Sequence, residues 1–349
     1  MRAAVLHEVG RMDVRQMPDP ACPEGGLLIE VGACAVCGTD VKVYRHGHRL
    51  IVPPRITGHE VAGTVLEAGK GVKGFVPGDR VAVAPAVPCG ECFYCRRGWQ
   101  TMCDNLTAIG YHYDGGFAER MAVPTVAVRN GCVNKVPENV TLEEAALAEP
   151  LACCINAHEL CWMGLGKSMV ILGAGPIGCL HVQLARSEGA ARVMLFDISA
   201  ERLQMAERVK PDLLVDSSKE NPIERVMNET GGRGADVVIV ACSSAKAQEQ
   251  ALEMVAKRGV VNYFGGLPKD KPFIQFNSNL THYREFYVIG NHGSAPRHNE
   301  LALELLGSGR IDVKSLITHR LPIEKTLDGI QITEAGQGLK TMILPELSA

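Results

Sequence analysis

"SMVILGAGPIGCLHVQLARSEGAARVMLFD", residues 168–197, decides the fold. A β-rich run, "SMVILGAG", leads into Gly173-x-Gly175-x-x-Gly178, and a helical pattern, "PIGCLHVQLARSEG", follows. The glycines alone would be a weak signal; between a strand and a helix they predict a dinucleotide-binding turn. Gly173 permits the tight turn, Gly175 lets the backbone approach a pyrophosphate, and Gly178 lets helix and strand pack closely. The free N–H groups at the start of the helix then face the phosphates. Asp197 closes the next strand, "RVMLFD", nineteen residues after Gly178. A carboxylate there accepts hydrogen bonds from ribose hydroxyls and repels a 2′-phosphate, which favours NAD over NADP. Arg192 and Arg202 leave NADP use open. The candidate cofactor-binding set is Gly173, Gly175, Pro176, Ile177, Gly178, Asp197 and Arg202.

Outward from this unit the texture differs on the two sides. Downstream, "DLLVD", "ADVVIVAC" and "GVVNYFGG" are β-rich and alternate with helical segments such as "SAERLQMAERVK". That alternation predicts βαβ units around a parallel, doubly wound sheet. Upstream, the first 130 residues are rich in Gly, Pro and Val. "LLIEVGACAV", "EVAGTVLEAG" and "RVAVAPAV" read as strands separated by turn signals such as Val76-Pro77-Gly78-Asp79, which suggests a compact β-barrel-like unit. "TLEEAALAEPLACCINAHEL" opens a helix at Thr141, with Glu144 completing a capping box. The last sixty residues hold one helix-like stretch, "NELALELLGSG", and then short strands.

The chain's 349 residues suggest two domains. Hydrophobic residues make up 46% and charged residues 21%, ordinary for a soluble enzyme. A net charge of −3 gives no electrostatic reason to expect nucleic acid or an anionic membrane as partner. The start, "MRAAVLHEVGRMDV", lacks the apolar stretch of a signal peptide, and no apolar run reaches the ~18 residues needed to span a bilayer. A cytoplasmic protein is expected. Its thirteen cysteines then read as metal ligands and buried thiols rather than disulfides.

Two groups of residues carry metal chemistry. "PCGECFYCRRGWQTMC", residues 88–103, places Cys89, Cys92, Cys95 and Cys103 within fifteen residues. Four thiolates close a tetrahedral zinc shell and leave no position for substrate, so this is a structural site. The segment is too short for a core of its own, so metal binding would supply much of its folding free energy. The catalytic candidates lie elsewhere: Cys37 in "ACAVCGTDVKVYRHG", His59 and Glu60 in "PRITGHEVAGTV", and Glu149 in "ALAEPLACC". One Cys, one His and one carboxylate leave a coordination position open, which suits a catalytic zinc that polarises an alcohol oxygen. Taken singly, His59 reads as a loop or core histidine and Glu149 as a helix-end charge.

Taken together, "CGTD" (37–40), "GHEVAGTV" (58–65), "CGECFYCRRGWQTMC" (89–103), "GGFAER" (115–120), "EPLACC" (149–154) and "GAGPIG" (173–178) resemble the zinc-dependent medium-chain dehydrogenase/reductase superfamily over essentially the whole chain. Glu60 beside His59, Glu149 before Pro150, and "ITHRLPIEKTLDGI" (317–330) are similar to its sorbitol, galactitol-phosphate and threonine dehydrogenase branch. The resemblance implies a GroES-like β-barrel catalytic domain, residues 1–150 completed by 291–349, and a Rossmann NAD-binding domain over 151–290. It places the active site in the cleft between them. It implies two zinc ions per chain. One is held by Cys37, His59 and one or both of Glu60 and Glu149; the other sits on the four-cysteine lobe. It gives Thr39 the hydroxyl that bonds the substrate oxygen and starts a proton relay.

Relatives often carry a histidine five residues after the zinc cysteine; here that position is Lys42, and an ordinary lysine is a poor proton acceptor at neutral pH. The relay then ends in ribose hydroxyls and water or uses another histidine, with His46 and His48 nearby. The expected activity is NAD-dependent oxidation of a secondary alcohol of a polyol, cyclitol or sugar, phosphorylated or not. L-Threonine is the second choice of substrate. A non-catalytic nucleotide-binding structural protein is the alternative of another class. A homodimer or homotetramer is expected from the same resemblance.

Overall fold

The computed structural model describes residues 1–348. The chain divides into two compact units, Met1–Ala152 with Gly293–Ala349, and Cys153–His292. The division falls inside the helix Ala148–Leu160.

The first unit is built on a seven-stranded sheet. Strand Leu27–Ala35 lies at its centre, with Glu60–Ala68 antiparallel on one side and Lys340–Leu344 antiparallel on the other. Arg80–Val83 and Val133–Lys135 continue the sheet beyond Glu60–Ala68, and Ile317–Pro322 continues it beyond Lys340–Leu344. Leu27–Ala35 alternates buried and half-buried positions and then becomes fully buried towards Ala35. That is a strand with one face on the core and its end sealed on both. Leu27, Ile29, Val61, Val65, Phe117 and Met121 form the centre of that core. A three-stranded sheet, Arg11–Gln16, Arg2–Glu8 and Arg55–Ile56, completes the unit's main β structure.

The second unit is a six-stranded parallel sheet in the order Leu213–Asp216, Arg192–Asp197, Ser168–Leu172, Ala235–Val240, Val255–Tyr263, Tyr287–Gly290. In chain order this is 3-2-1-4-5-6, the doubly wound arrangement whose ligand site lies where the strand order reverses. Every residue of Ser168–Leu172 is buried, as a central parallel strand requires. Val170, Phe196, Val238 and Val261 pack in its core.

Two local readings differ from the structure. The segment after Thr141 forms two helices, Leu142–Ala146 and Ala148–Leu160, rather than one. Pro150 is the cause: it has no N–H for the carbonyl of Ala146 and is accommodated only in the first turn of a new helix. The capping box is present, with the Glu144 carboxylate accepting from the Thr141 N–H at 2.8 Å. The C-terminal region also holds a second helix, Thr326–Glu334, within a stretch that reads as strands. Among the described residues no helix is long and apolar enough to cross a membrane.

Candidate active site

Strand register gathers the candidate metal ligands of the first unit. Ala35 pairs with Glu60 on one side and with Met342 on the other. Cys37, two residues past the end of its strand, therefore lies at the same sheet end as His59, Glu60 and Lys340. One atom each of Cys37, His59 and Glu60 falls in a group whose members all lie within 4.8 Å of one another. Thiolate, imidazole and carboxylate are a zinc donor set, and three of them leave a fourth tetrahedral position. Glu149, in the first turn of Ala148–Leu160, is not a member of that group, although its charge acts on Tyr111 and Lys340 close by. Thr39 is half-buried in the first turn of the helix Gly38–His46.

Three further side chains complete the surroundings. Cys37 is the N-cap of Gly38–His46, and the carboxylate of Asp40, at N3, accepts from the Cys37 N–H at 2.9 Å. This turns "CGTD" into a cap that buries Asp40 with its other oxygen 3.6 Å from His59 Nδ1. At that distance the contact is electrostatic rather than a tight hydrogen bond. Burial works against a charged His59, but Asp40 and Cys37 outweigh it and raise its pKa well above the ordinary 6.5. A metal ion would have to displace that proton. Lys340 Nζ donates to both oxygens of Glu60 in a fully buried pair and lies 3.4 Å from the Val36 carbonyl. Burial opposes the Lys340 charge, yet Glu60, Cys37 and Glu149 hold its pKa above the usual value. Tyr111 packs its ring against His59, with centroids 6.0 Å apart.

Asp40 carried a readable signal in its N3 position after a helix start. Lys340 and Tyr111 had none, because their partners are distant in sequence. Lys42 and His46 are exposed, whereas His48 packs edge-on against Tyr111 at 5.1 Å. A separate cavity of about 280 Å³, lined by Arg55, Asp114 and Arg120, contains none of the ligand residues. Its arginines are already paired with Asp114 and Asp19.

Cys89, Cys92, Cys95 and Cys103 form a second group within 4.8 Å, on a lobe of two short 3₁₀ turns. Backbone N–H groups of Cys92 and Cys95 point at the sulfurs of Cys89 and Cys92, both at 3.4 Å. Such bonds favour the thiolate, and the Cys95 N–H in particular lowers the Cys92 pKa to about 6. Burial instead raises Cys95 to about 12 and raises Cys103 as well. None of the thirteen cysteines is in a disulfide.

In the second unit, Gly173 has φ +118°, and a Cβ on Gly178 would come within 1.9 Å of the Gly173 carbonyl. No other residue fits either position. Gly175 caps the helix Pro176–Ser187, with Pro176 at N1, so Ile177 and Gly178 lie in its first turn. A Cβ on Gly175 would lie 2.8 Å from Arg202 Nη1, which places that guanidinium over the turn. Asp197 holds the turn from below, accepting from Ala174 N at 2.7 Å and Ser199 N at 2.9 Å.

The chain matches the alcohol dehydrogenase GroES-like domain over residues 23–137 and the zinc-binding dehydrogenase domain over 176–308. It is 32% identical to a sorbitol dehydrogenase of Halalkalibacterium halodurans, over 97% of each chain. It is 35% identical to an L-threonine 3-dehydrogenase of Pyrococcus furiosus, over 92% of this chain and 91% of that one. A Sinorhizobium meliloti structure assigned as a zinc-binding dehydrogenase and bound to NADP superposes with a TM-score of 0.92 at 33% identity, covering 99% of both chains. With its GroES-like and Rossmann units, the chain belongs to the zinc-dependent medium-chain dehydrogenase/reductase superfamily, in the sorbitol- and threonine-dehydrogenase-like branch, and is a zinc-type alcohol dehydrogenase that uses a nicotinamide dinucleotide.

Proposed function

We propose that the protein oxidises a secondary alcohol of a polyol, cyclitol or sugar to the ketone and transfers the hydride to NAD. The observation that carries this reading is the mutual approach of Cys37, His59 and Glu60, a three-donor set with room for one more oxygen. When bound, zinc supplies the Lewis acidity that lowers the pKa of an alcohol, and the nicotinamide accepts the hydride. The chain's own residues do the rest. Asp40 orients the His59 ring and raises its basicity, and Lys340 fixes Glu60. Glu149 is a candidate for the remaining carboxylate position. Thr39 offers the hydroxyl that takes up the substrate proton; with Lys42 and His46 exposed on the helix, His48, packed against Tyr111, is the candidate histidine for its onward passage.

The Asp197 carboxylate at the end of its strand supports NAD over NADP. The four-cysteine lobe supports a second, structural zinc, two per chain. Thirteen cysteines outside any disulfide support a cytoplasmic location. The resemblance supports a homodimer or homotetramer.

L-Threonine is the second reading, favoured by relatives at 35–36% identity that carry that activity. An NAD-reduction screen over polyols, inositols, sugar phosphates and L-threonine separates the two. Turnover of a polyol or cyclitol at least tenfold above that of L-threonine is the expected result. The reverse order would replace the first reading with the second.

A further inference from the structure

We propose that Tyr111 determines specificity in the alcohol site: its phenol hydroxyl hydrogen-bonds the hydroxyl next to the carbon being oxidised, so that vicinal diols are preferred over simple secondary alcohols. The inference rests on the alcohol-dehydrogenase reading above and adds to it a residue and a recognition chemistry.

Placement comes first. Tyr111 rides on a tight turn in which the Ala108 carbonyl accepts from the N–H groups of Tyr111, His112 and Tyr113, and the Tyr113 carbonyl accepts from Gly110 at 2.9 Å. Gly110 has φ +79°, and a Cβ there would lie 3.0 Å from the carbonyl of Gly58, the residue before His59. The turn is thus pressed against the backbone that carries a metal ligand. The Tyr111 ring lies tilted at 58° to His59, and His48 backs it edge-on at 84°. Held on both sides, the ring has little freedom to swing away.

The hydroxyl is the second observation. Tyr44, Tyr113 and Tyr263 each spend their phenol on a protein partner. Tyr111 makes no such bond to any described residue, and its oxygen is not sealed from open space. An ordinary phenol, with a pKa near ~10, keeps its proton at neutral pH. A neutral phenol beside the ligand group gives one hydrogen bond and accepts another, which matches a neutral hydroxyl. It offers no countercharge to an ammonium, so a diol suits it better than an amino alcohol.

The test compares wild type with Tyr111→Phe on 2,3-butanediol, sorbitol, 2-butanol and L-threonine, with zinc content as the control for folding. Wild type should favour the diols over 2-butanol. The variant should lose about 10- to 100-fold in kcat/KM on the diols, mostly through KM, and less than about threefold on 2-butanol. Equal losses on diol and monoalcohol, or no loss on either, overturn the inference and leave the dehydrogenase reading standing. Turnover of L-threonine alone overturns the diol assignment. A zinc-loaded wild type that oxidises none of the four overturns the underlying reading, and this inference with it.

Discussion

Lys340 Nζ lies 2.5 Å from each carboxylate oxygen of Glu60, 280 residues earlier in the chain, and both side chains are buried. The C-terminal strand therefore supplies the positive charge that lets a carboxylate stand beside Cys37 and His59 in a dry sheet end. Removing one partner of such a pair leaves an uncompensated buried charge, at a cost of about 3–5 kcal/mol. Lys340→Met should lose stability of that order in urea unfolding of protein stripped of zinc with a chelator, so that Glu60 holds no metal. The double variant Lys340→Met, Glu60→Leu should recover most of it. If both single and double variants unfold with the wild type, the pair is not the anchor described.

Asp40 acts on the metal site through His59. Its charge fixes the ring and raises its basicity. Partners of this kind typically contribute 10- to 100-fold in metal affinity. Asp40→Asn keeps the acceptor for the Cys37 N–H but removes the charge. Chelator competition should show zinc lost from this site about tenfold more readily, with the four-cysteine lobe unaffected. Unchanged retention would assign Asp40 to the helix cap alone.

The lobe has its own pH dependence. Zinc must displace the protons held by Cys95 and Cys103, whose thiols burial has raised, whereas Cys92 at about 6 is already a thiolate at neutral pH. Affinity for zinc therefore falls as pH falls, and binding releases protons. Cys92→Ala should lower zinc content from about two per chain to about one and reduce the melting temperature. Full zinc content in that variant would remove the lobe as a metal site.

His181 makes the Rossmann unit acid-sensitive. It is fully buried, donates to or accepts from His158 at 3.0 Å, and has an Nε2 with no partner. Burial, helped by His158, pushes its pKa well below 6.5. The unfolded chain then binds a proton below pH 6.5 that the folded chain refuses. The contribution is present above 6.5 and is lost as pH falls towards the folded pKa, at up to about 1.4 kcal/mol per pH unit. His181→Gln should flatten the fall in unfolding free energy between pH 6.5 and 5. An identical slope in the variant would place the acid sensitivity elsewhere.

Local motifs made the architecture legible. Three glycines between a strand and a helix announced a doubly wound parallel sheet, because turn, helix start and packing are all decided within six residues. The four-cysteine lobe is equally local. The catalytic group was readable only as scattered candidates, since Cys37 and Glu60 meet through antiparallel register that no spacing displays. Lys340 gave no sign at all. A lone lysine in a strand reads as an edge charge, and its partner is set by a third strand between them. Tyr111 was hidden for the same reason, its position depending on Gly110 packing on Gly58.

Cofactor choice gives the last prediction. One oxygen of Asp197 accepts from Ala174 N on the glycine turn and the other from Ser199 N, yet each retains a lone pair for a ribose hydroxyl. Its charge also opposes a 2′-phosphate, by a few kcal/mol at contact distance in a partly solvated site. Arg202 stands over the same turn, near Gly175, and would favour that phosphate once the carboxylate is neutral. Asp197→Asn keeps the shape and an acceptor while removing the charge. The ratio of kcat/KM for NADP to that for NAD should then rise about tenfold or more, equivalent to roughly 1.4 kcal/mol. Arg202→Ala on that background should cancel the gain, because the attraction then has no source. A ratio that stays at the wild-type value in Asp197→Asn would mean that discrimination between the cofactors arises from some other contact. A gain that survives loss of Arg202 would leave Asp197 as the discriminator but remove the guanidinium from the phosphate site.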